Sequence, residues 1–211
     1  MSQKTELVYP AFYAEVPRIR LRDPLAEFLG AAQGGLLEYG YLDAVKLAGH
    51  SCPTVAAAYG LTRCALRALY GDEVPMRGGL RVTFAERADK GVTGVIANVV
   101  SLLTGAAGEG GFKGLAGRFS RCNLLAFGAV QPLEIRYTRI DNGCSVDTAA
   151  DLSGIPAAAE MGTLLQRCLA GVADASEQQA FGQLWQDRVR RILIDHVDDP
   201  AVFVVRVVRP A

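Results

Sequence analysis

The run His50-Ser51-Cys52-Pro53 places an imidazole and a thiol two residues apart. At that spacing both can address one borderline-soft ion such as zinc, iron or copper. The proline marks a helix start, so Cys52 would feel the positive end of a helix dipole, which favours thiolate. The same residues have a plainer structural use, as a small buried cysteine and a histidine bonded to a carbonyl. Of the five cysteines, Cys64 lies three turns along the same helix, too far to join Cys52. Cys144 and Cys168 read as packing residues in a hairpin and a helical stripe. Cys122 remains as the third ligand, giving a metal set of His50, Cys52 and Cys122. A Cys-Pro pair beside a histidine is also compatible with haem. His196, among Asp195, Asp198 and Asp199, reads as a dipole or surface contact at a helix end.

Two further segments bear on a pocket. Asn98, Ser101 and Thr104 recur every three residues in an otherwise apolar helix, so Asn98 is expected to be a buried amide in need of a partner or ligand. Ser101 and Thr104 can instead bond back to the preceding turn. The stretch GAAGEGGFKGLAG (residues 105–117) carries Lys113 and is followed by Arg118. Its glycines would let backbone N–H groups approach an anion, although neither familiar nucleotide-binding glycine pattern is present. We expect Asn98, Ser101, Lys113 and Arg118 to face a small-molecule ligand near Cys52.

Composition narrows the classes. Lys plus Arg equals Asp plus Glu, 22 against 22, which argues against nucleic acid as partner and gives little self-repulsion. No apolar run reaches membrane-spanning length and no secretory leader is visible, so a cytoplasmic, membrane-free protein is expected. Odd, scattered cysteines fit a reducing compartment.

Residues 1–22 read as an extended arm. Asp23-Pro24 opens a short helix with Leu25, Phe28 and Leu29 as its apolar face. Pro53 opens a longer helix that closes at Gly71. Residues 79–86 alternate as a strand, and residues 92–104 form a helix apolar almost all round. Asn142-Gly143 predicts a two-residue hairpin turn pairing Tyr137 with Thr148, Tyr137 inward and Glu134 outward. Residues 157–170 and 176–196 follow as helices, and residues 202–208 as a strand covered on both faces, closing this sheet or a partner's. The fold class is α+β: a mixed sheet on two core helices, with a C-terminal helical hairpin and final strand. One domain is expected, divided into the arm, a core over residues 23–154 and a C-terminal part over residues 155–211.

The segments AGHSCPTVAAAYGLTRCALRALYG (residues 48–71) and GVTGVIANVVSLLTGAAGEGGFKGLAGRFSRCNLLAFG (residues 91–128) resemble the FmdE family, which takes its name from a component of formylmethanofuran dehydrogenase. The resemblance implies an FmdE-like α+β core, commonly a homodimer, in which His50 and Cys52 line a metal-containing pocket, usually with zinc. Where the family tends to place cysteine, aspartate and cysteine, this chain has Val95, Asn98 and Ala106. Three functions follow as expectations: a metal-dependent protein acting on a small molecule, a non-catalytic cofactor-binding protein, or an accessory subunit of a redox or metalloenzyme complex.

Overall fold

Helix α3 (Pro53–Tyr70) packs against more elements of the fold than any other does, and its composition explains why. Val55, Ala56, Ala58, Tyr59, Leu61, Ala65 and Leu66 are all buried, so small residues face neighbours on nearly every side. Pro53 sits in the first turn, Cys52 caps the start, and the Gly71 N–H closes the end on Arg67 O. The computed structural model describes residues 7–208. Its other helices are α1 (Pro24–Phe28), α2 (Tyr41–Ala48), α4 (Thr93–Thr104), α5 (Met161–Leu169) and α6 (Ala175–Arg190), the last running into a π-helical turn, Arg191–Asp195. None of the helices among the described residues is long and apolar enough to cross a membrane.

The strands are β1 (Ile19–Arg22), β2 (Leu36–Tyr39), β3 (Leu80–Phe84), β4 (Leu125–Ala126), β5 (Ile135–Arg139), β6 (Ser145–Ala150) and β7 (Phe203–Val208). β1 and β2 form an antiparallel pair, and the others make a mixed five-stranded sheet in the order β4-β3-β5-β6-β7, with only β3 and β4 parallel. Leu80, Val82, Phe84, Ile135, Tyr137 and Val146 are buried, as the alternation predicts. Tyr137 reaches across to α3, where its hydroxyl meets Thr62 Oγ1 at 3.1 Å while Thr62 donates to Ala58 O. Gly60 lets the sheet close on α3: a Cβ there would meet the Phe203 ring at 2.4 Å.

Four expectations are corrected. The hairpin pairs Tyr137 with Val146, two residues from the register expected for a tight turn. Arg139 and Cys144 close a four-residue loop in which Gly143, at φ 75°, donates to Arg139 O. A shift of two keeps every side chain on its face, so Tyr137 still points inward and Glu134 is exposed. α4 is not buried all round, since Val95 and Asn98 are exposed. Phe28 and Leu29, the expected apolar face of α1, are exposed as well. β7 lies at the edge of the chain's own sheet, with Val207 73% exposed rather than covered.

A buried ion cluster ties the N-terminal segment to the core. Asp23 caps α1 through the Leu25 N–H at 2.9 Å and accepts from Arg77 Nη1 at 2.9 Å and Arg121 Nη2 at 2.7 Å. Arg77 also donates to Leu102 O, and the Gly78 N–H to Thr104 O, which satisfies carbonyls left free at the end of α4. Only glycine fits at position 78, because φ is +80° and a Cβ would collide with the Arg121 guanidinium. Burial alone would raise the Asp23 carboxyl, but hydrogen bonding to Arg77, the charge of Arg121 and the Leu25 N–H together hold it below the ordinary value.

Asp23→Ala strands two largely buried guanidiniums and should cost about 3–5 kcal/mol at neutral pH, read from urea unfolding. Because the native pKa is depressed, this contribution is fully present above the unfolded value of about 3.9 and is lost as pH falls through the native one. The gap between wild type and variant should therefore narrow below about pH 4. Gly60→Ala should cost about 1–3 kcal/mol by overpacking against Phe203.

Candidate functional site

The turn His50–Pro53 links the end of α2 to the start of α3, and its three polar residues face different ways. Gly49 takes φ 74° and ends α2, turning the chain outward. His50 is exposed, with Nδ1 3.0 Å from Ala48 O. Cys52 is buried, and its Sγ accepts from the Val55 N–H at 3.5 Å as the helix cap. Ser51, between them, is buried and carries the contacts.

The Ser51 carbonyl accepts from Trp185 Nε1 at 2.9 Å and from Gln186 Nε2 at 3.3 Å, both on α6. Its hydroxyl donates to Gln186 Oε1 at 2.9 Å and stands 2.9 Å from the Tyr41 hydroxyl. Tyr13 also donates to Gln186 Oε1, at 3.2 Å. Tyr41 is fully buried, and that burial pushes its phenol above the ordinary value against the opposing Ser51 hydrogen bond. Tyr13, Tyr41 and Tyr59 pack edge to face behind this network, with centroids 5.2 and 5.7 Å apart. The turn is thus closed from the outside by α6.

The metal set is corrected. Among the described residues no group of three or more His, Cys, Asp and Glu side chains could hold a metal ion. Cys122 does not complete a set with His50 and Cys52: its thiol donates to Gly111 O at 2.9 Å and pins the glycine-rich loop. The zinc, transition-metal and haem expectations, and a metal-dependent small-molecule pocket at His50 and Cys52, fall with this finding. His196 makes the local contact expected of it, Nδ1 lying 2.8 Å from Asp199 Oδ2.

The residues expected to face a ligand have these surroundings. Asn98, expected to be buried, is exposed. Ser101 donates to Ala106 O at 2.7 Å, closing the end of α4, and Thr104 bonds back to Val100 O as expected. Lys113 is exposed. Arg118 turns towards α1, its guanidinium 4.7 Å from the Phe119 ring centroid and 5.9 Å from that of Phe28. The loop itself is zipped by backbone bonds from Ala107 to Arg121 O and from Arg121 to Phe112 O. Cys144, expected to pack, is exposed.

Sequence reasoning missed Ser51, Tyr41, Trp185 and Gln186, because the contacts that join this turn to α6 span more than 130 residues. The available signal was Trp185, the single tryptophan, on a mostly polar helix. No known family model matches this chain, and no curated protein matches it in sequence.

Cys52 should therefore label slowly with an aromatic disulfide reagent in native protein, whereas exposed Cys144 should react at once. Gln186→Ala, which removes the acceptor of the Ser51 and Tyr13 hydroxyls, should cost about 1–3 kcal/mol and speed labelling of Cys52. Mass spectrometry of the labelled peptides reads the labelling rates, and urea unfolding reads the loss of stability.

Proposed function

We propose that this chain is a non-catalytic, homodimeric assembly protein built on an FmdE-like core, in which the His-Ser-Cys-Pro turn is a structural joint. The observation that carries this reading is the seal of α6 on Ser51. The Ser51 hydroxyl and carbonyl, buried between two helices, are both engaged by Trp185, Gln186 and Tyr41, as a joint between distant segments requires. The family resemblance of residues 48–71 and 91–128 supplies the core and the tendency to dimerise, and the loss of the ligand set agrees with a role in assembly.

The surface assigned to the second copy is the outer face of α4. That helix has no charged residue from Thr93 to Thr104, yet Val95 and Asn98 on it are exposed. Leu47 of the neighbouring α2 is also exposed, at 48%. A two-fold contact sets identical side chains side by side, so a charged face would repel itself near the axis and an uncharged one does not. The zero net charge adds no long-range repulsion. The outer edge of β7 is the poorer candidate, because antiparallel self-pairing would bring the exposed Arg206 of each copy close together.

Sedimentation equilibrium at tens of micromolar should give about twice the 22.5 kDa chain mass. Val95→Asp should yield monomer with unchanged far-ultraviolet circular dichroism. A wild-type monomer at that concentration would overturn the proposal.

A further inference from the structure

Away from the Ser51 joint, the N-terminal end of α4 and the ends of β3, β5 and β6 enclose a cleft of about 430 Å³. Its volume lies within the range of small-molecule sites, roughly 300–1,000 Å³. Phe84 and Ile135 form a buried part of its wall, 2% and 1% exposed, and the half-buried Ile96 and Leu133 add apolar surface. Gln131 makes the other wall rigid. Its Oε1 accepts from Thr83 Oγ1 at 2.7 Å, and its Nε2 donates to the carbonyls of Thr83, Leu133 and Glu134 at 3.1–3.2 Å. A side chain so engaged shapes the cleft without competing for a ligand.

Two carboxylates, Glu86 and Glu134, line the same cleft, and no ion pair reaches either of them among the described residues. The arginines nearest in sequence are engaged elsewhere, Arg87 with Asp89 at 3.0 Å and Arg136 with Asp147 at 2.6 Å. Burial raises the Glu134 carboxyl, against a backbone hydrogen bond from Ala150, although the residue keeps solvent access. Both carboxylates are solvent-exposed at the rim of apolar walls and neither has a cation of its own, so a ligand that brings one gains a charge-assisted bond there.

We propose that this cleft binds a small molecule with an apolar body and a single ammonium group, the body against Phe84, Ile96, Leu133 and Ile135 and the ammonium held by Glu134 and Glu86. The ligand's charge then offsets the two acidic groups, while the walls exclude water from its hydrocarbon part.

Isothermal titration of the full chain with phenethylamine, 2-phenylethanol and 3-phenylpropionate tests this, since the three share a ring and differ in charge. The amine should bind at least about tenfold more tightly than the alcohol, and the acid most weakly, as charge-assisted bonding to carboxylates requires. Glu134→Gln and Glu86→Gln, isosteric changes at the cleft, should each weaken the amine severalfold and leave the alcohol unchanged. Amine-induced shifts in methyl resonances should centre on Ile96 and Ile135. The proposal is overturned if the amine does not bind, if amine and alcohol bind alike, if the acid binds best, or if neither glutamine variant changes amine affinity. Both variants are read for native circular dichroism first, and either one, folded, decides the matter.

Discussion

The constraint on which the site depends is the need to satisfy a buried serine in the turn between two helices. Ser51 lies where α2 has ended and α3 has not begun, so its carbonyl and hydroxyl have no place in either helix's bonding pattern. A buried polar group without a partner costs about 1–3 kcal/mol, and Ser51 presents both a carbonyl and a hydroxyl. Helix α6 answers with Trp185 and Gln186, while Tyr41 and Tyr13 complete the network from the N-terminal side. One turn thereby joins segments separated by more than 130 residues. The consequence for chemistry is direct: Cys52 faces inward as a helix cap and His50 outward, so the two side chains that looked like a pair serve different surroundings.

Asp23 does the equivalent work at the other end of the core. It caps α1 and receives two guanidiniums, one from the segment before β3 and one from the end of the glycine-rich loop. Because Arg77 also reaches Leu102 O, the end of α4 is tied into the same cluster. The glycine-rich stretch accordingly folds as a braced loop, with Arg121 drawn inward to Asp23, Cys122 bonded to Gly111 and Arg118 laid over aromatic rings. Gly105 at its start, like Gly78 before β3, lies close against these guanidiniums, which gives both glycines a packing role without an anion.

Local signals carried well into the structure wherever a local cause governed the outcome. Pro53 and Gly71 bound α3, Asp23-Pro24 opens α1, and the alternation at Leu80, Val82 and Phe84 is a buried strand face. The hairpin's existence and facing were legible in Asn142-Gly143, but its register was not, because Gly143 serves as the left-handed residue of a four-residue loop. Hydropathy made α4 look buried on every side, whereas exposure is decided by how many neighbours a helix has, and α4 has an outer face. The site was legible only as a location. Its residue types fit a metal, but among the described residues they do not gather into a ligand set, and the bonds from Cys122 to Gly111 and from Trp185 to Ser51 leave no mark on residue spacing.

A structural joint at Ser51 requires α6 to be part of the core rather than a loose cover over an open site. Trp185 reports this directly, because it is the single tryptophan and lies at the seal. Urea unfolding followed in parallel by Trp185 emission and by far-ultraviolet circular dichroism measures whether the two come apart. Coincident transitions with one midpoint are predicted, the emission staying at its native wavelength until helix content falls. An early red shift of Trp185, at urea concentrations where the helical signal of the core is still native, would show α6 leaving the Ser51 turn on its own and would contradict the joint.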